Sequence, residues 1–169
     1  IDTATKTTSS TSFAPNGTYS VSISIDGRAQ GTSSYAADNT LISSTSVGYD
    51  DYGRQHEITR SGFGLTKTTF FDSGQVDSVT FPIAKAGAAQ TSINYIYDNM
   101  GRQSEFHRQD ASVQYTEYNL KGEISRKYGA GLTGATYTYE EGRVKTQTSY
   151  QDFATETGPA ITTYHYDAQ

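Results

Sequence analysis

The chain has 169 residues, with 14 Tyr, 7 Phe and 16 Gly, no Cys and no Trp, and a formal net charge of −5. An acidic balance without a basic patch argues against nucleic acid as a partner. The lack of Cys excludes disulfides and thiolate zinc sites, and no apolar run approaches the ~20 residues of a membrane helix. An aromatic content of 12%, together with abundant Ser and Thr, favours ordered β structure over disorder.

The N-terminal part begins with a polar segment. Thr, Ser, Ala and Lys make up most of residues 1–12, which we interpret as a polar N-terminal arm or an edge strand. Apolar residues and serines then alternate over residues 19–25, which predicts the clearest strand of the chain. Asp26 and Gly27 follow it and predict a two-residue hairpin turn.

An eight-residue stretch from Tyr95 to Arg102 reads Tyr-Ile-Tyr-Asp-Asn-Met-Gly-Arg. Side chains two positions apart on a strand share a face, so Tyr95 and Tyr97 should lie together. Asp98 at the first corner of a turn can bond the backbone two residues later, and Gly101 supplies a positive φ. The stretch therefore predicts a strand, a tight turn and a second strand.

The chain repeats this pattern with substitutions. The repeat-motif residues are Tyr49, Asp50, Gly53, Arg54, Phe71, Asp72, Gly74, Tyr95, Tyr97, Asp98, Gly101, Arg102, Tyr118, Gly122, Tyr137, Tyr139, Gly142, Arg143, Tyr164, Tyr166 and Asp167. The copies ending at Gly74 and Gly142 have one spacer residue fewer, and the last copy stops one residue before its expected glycine. Weaker copies occupy residues 13–18 and 35–39, where Asn39 replaces the glycine.

A unit of about 20 residues matches two strands and two turns, and fixed-period self-similarity indicates a repeat architecture. We predict an all-β fold of consecutive antiparallel hairpins that form one curved, spiralling sheet. The sheet should span residues 13–169 with about six or seven repeats, of which the last is truncated. The chain begins with Ile1, which is not an initiator Met, and we expect it to be processed or cut from a longer polypeptide.

The acidic residues of the turns have three interpretations: calcium ligands, acid/base pairs or turn caps. These residues are Asp26, Asp50, Asp72, Asp98, Glu140 and Asp167. A calcium loop places several oxygens within one short loop, whereas each turn here has one carboxylate or an adjacent pair. We therefore favour turn capping. The sequence Asn16-Gly17-Thr18 matches a glycosylation sequon, but we interpret it as turn chemistry.

The chain has three histidines, which have two possible functional roles, as ligands of a metal site or as a general base. His56, His107 and His165 stand at different offsets from their nearest repeat glycines, so the repeats should not bring them together. No Gly-x-Ser-x-Gly, phosphate-binding loop or His-Glu-x-x-His motif is present. We therefore expect neither enzymatic activity nor a metal or cofactor.

The tyrosines have two possible roles. They could stack on sugar rings, or they could pair across strands and stabilise the sheet. Regular spacing favours pairing, because a sugar site needs only two or three rings. Arg54, Arg102 and Arg143 follow the turn glycines, and each could lie over a tyrosine or pair with a turn carboxylate of the adjacent repeat.

The recurring Tyr-x-Tyr-Asp-x-x-Gly-Arg pattern resembles the YD-repeat, or RHS-repeat, family. The match is near-complete from Tyr95 to Arg102 and good from Tyr49 to Arg54, and the resemblance covers roughly residues 13–169. Members of the family include bacterial Tc toxin components, polymorphic toxins and teneurins. The resemblance implies a β-sheet that spirals into a hollow shell. The chain is shorter than a complete shell and lacks the Asp-Pro pairs that accompany autocleavage in the family, so neither property is carried over.

On this basis we expect a structural scaffold, namely a wall segment of an extracellular or toxin-encapsulating β-shell, secreted or at the cell surface. Expected partners are further YD-repeat segments of the same polypeptide, or other copies of the chain that pair by strand edges near residues 1–12 and 164–169. An enclosed toxin and surface glycans are further candidates. The alternative function is a carbohydrate-binding cell-surface or adhesion module.

Overall fold

The computed structural model describes residues 5–167, which divide into two compact units between Ser92 and Ile93. The first unit has seven strands: β1 (Thr7–Phe13), β2 (Tyr19–Ile25), β3 (Arg28–Tyr35), β4 (Leu41–Tyr49), β5 (Gln55–Arg60), β6 (Gly64–Phe70) and β7 (Val76–Thr80). The polar residues predicted as an arm or an edge strand thus contribute most of β1. Residues 1–4, 168 and 169, which belong to the two predicted strand edges, lie outside the described residues.

The other seven strands belong to the second unit, apart from Ser92, the first residue of β8. They are β8 (Ser92–Tyr97), β9 (Gln103–His107), β10 (Val113–Tyr118), β11 (Ile124–Gly129), β12 (Ala135–Glu140), β13 (Arg143–Ser149) and β14 (Ala160–Thr163). Residues 5–167 contain no helix, and within each unit every strand pairs antiparallel with its neighbours in sequence. The predicted all-β fold of consecutive antiparallel hairpins is confirmed.

Successive turns alternate between the two edges of each sheet, because neighbouring strands run in opposite directions. In the first unit the turns at residues 26–27, 50–54 and 71–75 share one edge; in the second unit those at 98–102, 119–123 and 141–142 share one edge. We call this edge the motif edge of each unit. One repeat of the sequence is therefore one hairpin, which returns the chain to the same edge.

The weaker copies at residues 13–18 and 35–39 belong to the opposite edge of the first unit. Their turns have the same backbone bonds as the motif turns: Gly17 N–H donates to Ala14 O at 3.0 Å, and Asn39 N–H donates to Ala36 O at 3.0 Å. Asn39 has φ 69°, so it adopts the predicted glycine-like conformation. The local turns were predicted correctly, but they are not members of the motif-edge series.

Each unit is a sheet without a covering layer. Among the described residues, Ala135 is the only apolar side chain that counts as buried, with 2% of its surface exposed. On β2 and β3 one face carries hydroxyl groups that bond across the strands, Ser20 with Ser34 at 2.9 Å and Ser22 with Thr32 at 3.1 Å. The sheets are therefore stabilised by cross-strand pairs rather than by a central core.

The turn at residues 108–112, at the edge opposite the motif edge, places an alanine where other turns have glycine. Ala111 N–H donates to Arg108 O at 3.0 Å, and Ala111 has φ 63°. Residues other than Gly, Asn and Asp are disfavoured in this left-handed region because their Cβ crowds the backbone. The turn is therefore strained at this position.

We predict that Ala111→Gly raises the free energy of unfolding by about 0.5–1 kcal/mol, because relief of the left-handed strain outweighs the extra entropy of an unfolded glycine. Urea unfolding followed by circular dichroism measures the change. Ala14→Gly is the matched control, since Ala14 opens an equivalent turn without a positive φ and should lose stability. Equal losses in both variants would contradict the assignment of strain to Ala111.

Candidate functional site at the motif edge

The turn at residues 98–102 has a compact network of bonds around one carboxylate. Asp98 Oδ1 accepts the backbone N–H groups of Met100 and Arg102, both at 2.9 Å. Asp98 Oδ2 accepts the side-chain Nε of Arg102 at 2.8 Å. Gly101 closes the turn with φ 75° and donates its N–H to Asp98 O at 2.9 Å. The carboxylate thus caps the turn and holds the arginine side chain in one orientation.

The turn at residues 50–54 has the same geometry, and the turn at 119–123 has it with the polarity reversed. Asp50 accepts Arg54 N–H at 2.8 Å and Arg54 Nε at 2.7 Å. Asn119 Oδ1 likewise accepts Glu123 N–H at 3.0 Å, but Asn119 Nδ2 donates to the Glu123 carboxylate at 2.7 Å. The side-chain bond between the first and the last residue of the turn is thus present in both turns. In the turn at 50–54 the last residue donates it, whereas in the turn at 119–123 the first residue donates it.

Each turn arginine also contacts the next motif turn along the edge. The Arg102 guanidinium lies 4.3 Å from the ring centroid of Tyr118, and its Nη1 lies 3.4 Å from where a Cβ of Gly122 would stand. In the first unit Arg54 lies 4.4 Å from the Phe70 ring centroid. We call this the inter-turn arginine contact. It combines cation–π attraction with van der Waals contact at the turn glycine, whose positive φ already disfavours other residues.

A second bond joins consecutive motif turns. The hydroxyl group of the aromatic residue before a turn donates to the carbonyl oxygen two residues past the preceding turn glycine. Tyr49 donates to Ala29 at 2.8 Å, and Tyr118 donates to Gln103 at 3.0 Å. Tyr139 OH to Ile124 O and Tyr166 OH to Val144 O, both 2.9 Å, continue the series. The tyrosine side chain therefore stabilises the sheet through both its ring and its hydroxyl group.

Two sequence interpretations need correction here. Phe71, not Asp72, occupies the first position of its turn, since Phe71 N–H donates to Gln75 O at 2.9 Å and Gly74 N–H donates to Phe71 O at 2.8 Å. This turn therefore has the full length, with Phe70 as its preceding aromatic residue. Arg54 and Arg102 pair with the carboxylate of their own turn rather than with that of the adjacent repeat, because the side chain can reach it across four residues.

The remaining motif residues lie near the C-terminal strands. Gly142 belongs to a two-residue turn with φ 77°, preceded by Glu141 with φ 51°, so the shortened form predicted for this copy is confirmed. Arg143 lies 5.4 Å from the Tyr166 ring centroid. Tyr137 pairs in register with Gln147, and the Tyr164 hydroxyl contacts the Gln147 side chain at 3.3 Å. Asp167 is exposed.

The described residues do not assemble a metal site or a membrane-spanning helix. Within residues 5–167 no group of three or more His, Asp or Glu side chains is arranged to hold a metal ion. His107 pairs with Glu105 at 2.8 Å on the same strand. No helix in that part of the chain is long and apolar enough to cross a membrane. Asn16 caps its own turn by accepting Thr18 Oγ1 at 2.8 Å.

One cluster was not predicted from the sequence. Phe153, in the connection between β13 and β14, stacks on Tyr128 with ring centroids 4.7 Å apart, and the Arg126 guanidinium lies 4.9 Å from its ring centroid. A Cβ at Gly134 would collide with the Phe153 ring, and Arg126 Nη2 pairs with Glu156 at 3.2 Å. Phe153 lies outside the repeat motif, so the sequence gave no signal for it, whereas Gly134 marks a close approach.

Comparisons with solved structures agree with this fold. A crystal structure of TcdB2-TccC3-Cdc42 matches with a TM-score of 0.60 at 15% identity, over 92% of this chain and 8% of that chain. A crystal structure of TcdB2-TccC3 without its hypervariable C-terminal region matches with a TM-score of 0.54 at 15% identity, over 82% and 7%. A structure of the Photorhabdus luminescens Tc holotoxin pore matches at 13% identity over 90% and 11%, but its TM-score of 0.49 is too low to support a fold assignment.

The likeness to the two TcdB2-TccC3 structures shows an RHS-like fold. The chain spans less than a tenth of the length of either matched chain. No protein-family model matches the sequence, and no curated protein matches it.

We predict that Asn119→Asp lowers the free energy of unfolding by about 1 kcal/mol, because it places a second carboxylate against Glu123 and removes a donated hydrogen bond. Adding Glu123→Arg should restore stability, since the pair then has the charges of the turns at 50–54 and 98–102. A double-mutant cycle from urea unfolding measures the coupling. Asn99→Asp, at an exposed turn tip, is the control; the absence of coupling would contradict the bond network.

Acid unfolding should depend on Asp98. The hydrogen bonds from the Arg102 side chain and backbone hold the pKa of Asp98 below its usual 3.8. A carboxylate whose pKa is lower in the folded state stabilises the fold above its unfolded pKa, and that stabilisation is lost as the pH falls through the folded pKa. We predict that Asp98→Asn is less stable than the wild type at about pH 6 and that the difference shrinks towards about pH 3.

The measurement is the urea midpoint of both proteins across this pH range, with Asp51→Asn, an exposed turn residue, as the control. A constant difference between the wild type and Asp98→Asn at all pH values would show that the Asp98 charge is not involved.

Proposed function

We propose that this chain is a structural scaffold of the YD-repeat family, a wall segment of a toxin-encapsulating or extracellular β-shell. The observation that carries the proposal is the inter-turn arginine contact, in which Arg102 of one turn packs on Tyr118 and Gly122 of the next. The fold likeness to TcdB2-TccC3 structures supports it. The role is non-enzymatic, and we place it outside the cell or at the cell surface.

The mechanism of such a scaffold is geometric. Each hairpin has few buried atoms of its own and gains its stability from contacts with the hairpins before and after it. Rings pair across strands, as Tyr95 with Phe106 at 5.3 Å and Tyr115 with Tyr128 at 5.1 Å. Because the same contacts recur along the motif edge, adding hairpins extends a wall that separates two compartments.

The wall continues, in this proposal, by strand pairing at its outer strands. Among the described strands, β1 pairs only with β2, and β14 pairs only with β13. All residues of β1 and β14 are exposed, and β1 contains only Thr, Ser and Phe, without the charges or proline that discourage pairing. Further repeats of the same polypeptide are the natural partners, and another copy of the chain is the second possibility.

The ring geometry favours the scaffold over a carbohydrate-binding surface. A sugar platform needs a ring face open to the ligand, whereas Tyr95 and Tyr115 lie against rings of neighbouring strands. A glycan array tests the alternative directly. Binding that is abolished by Tyr95→Ala with Tyr97→Ala, in a protein that remains folded, would favour the carbohydrate role.

The scaffold role is tested by cryo-electron microscopy of the complete polypeptide that contains this chain. We expect strands before β1 and after β14 to continue the sheet around an enclosed space that holds a toxin segment. A complete polypeptide in which β1 and β14 are paired with no other strand, and which encloses nothing, would refute the role. Light scattering of the 169-residue chain then separates the two kinds of partner: a monomer favours further repeats of one polypeptide, and growth with concentration favours other copies.

A further inference from the structure

One position on the motif edge of the second unit lacks the guanidinium group that its neighbour has. Arg102 lies over Tyr118 and against Gly122. Tyr139 is the next aromatic residue of the series and makes the same kind of hydroxyl bond, to Ile124 O at 2.9 Å. The residue that corresponds to Arg102, directly after the turn glycine Gly122, is Glu123, which has a carboxylate instead of a guanidinium group.

The space beside Tyr139 is open in the described structure. Among residues 5–167 no Arg or Lys lies over the Tyr139 ring, in contrast to the rings of Tyr118 and Tyr166. Apart from Gly142 itself and its two chain neighbours, no residue of this part of the chain comes within 4 Å of where a Cβ of Gly142 would stand. Tyr139 is half-buried and Gly142 is exposed, so a ligand can reach the position from solvent.

The electrostatics of this position favour a cation. Glu123 is held in place by Asn119 Nδ2 at 2.7 Å, and Lys145 pairs with Glu140 at 3.2 Å rather than with Glu123. Burial raises the pKa of Tyr139, and the negative charge of Glu123 adds to that shift. An aromatic face is electron-rich, so a carboxylate beside it gains little, whereas a cation between the two would be attracted by both.

We propose that the niche formed by Glu123, Tyr139 and Gly142 binds an arginine side chain of a basic peptide. Arginine fits better than lysine, because a planar guanidinium stacks on a ring and pairs with a carboxylate at the same time. Arg102 on Tyr118 is the intramolecular example of this contact. The proposal goes beyond the scaffold role and does not depend on it: the scaffold needs only contacts within the sheet, whereas this niche requires a separate peptide.

The test uses the 169-residue chain labelled with ¹⁵N and ¹³C, titrated with the peptide acetyl-Gly-Arg-Gly-amide and followed by nuclear magnetic resonance. We expect saturable shifts of the Gly142 amide and the Tyr139 ring. The same peptide with citrulline in place of arginine has the same shape without the charge and should bind at least about fivefold more weakly. Equal binding of the two peptides, or no shift at Gly142 and Tyr139, would overturn the proposal.

Two variants test the role of the carboxylate. Glu123→Gln keeps an acceptor for Asn119 but removes the charge, so the affinity should fall at least about fivefold. Glu141→Gln, which removes an exposed charge from the adjacent turn, is the matched control and should bind within about twofold of the wild type. Equal losses in both variants would show general attraction to an acidic surface and would overturn the assigned site.

Discussion

The constraint on which this structure depends is the lack of a covering layer over either sheet. With a single buried apolar side chain, Ala135, among the described residues, the usual stabilisation by a central core is missing. Stability has to come from contacts within the sheet itself. The stacked rings, the hydroxyl pairs and the contacts between consecutive turns supply them, and each depends on the presence of a neighbouring hairpin.

The motif edge shows how modest interactions are combined. A single partly exposed ion pair contributes little. Here Asp98 orients Arg102, which then packs on Tyr118, so the bond within one turn prepares the contact with the next. The exchange of polarity at Asn119 and Glu123 shows that the turn requires a matched donor and acceptor rather than one particular charge. The same exchange removes the cation that Tyr139 would otherwise receive.

The sequence was sufficient to predict the hairpins and the Asp98 cap, because alternation, Asp and Gly act locally. It did not reveal which of two adjacent aromatic residues, Phe70 or Phe71, precedes its turn, since both suit a strand. For the turn glycines, the sequence predicted only a positive φ and not a contact with another side chain. The packing of Arg28 against Gly53, with Nη2 2.6 Å from a Cβ position there, involves residues that meet only across the sheet. The Phe153 cluster was missed for the same reason.

The hydroxyl bonds between consecutive turns span 15 residues from Gln103 to Tyr118 and 22 residues from Val144 to Tyr166, yet both are close to 3 Å long. The longer span includes residues 150–159, which connect β13 to β14 at the opposite edge. The extra residues of the longer repeat thus lie at the edge opposite the motif edge, and the spacing of the motif turns stays the same. Insertions and grafted loops should be tolerated at that opposite edge, so new surface features can be acquired there without a change in the register of the sheet.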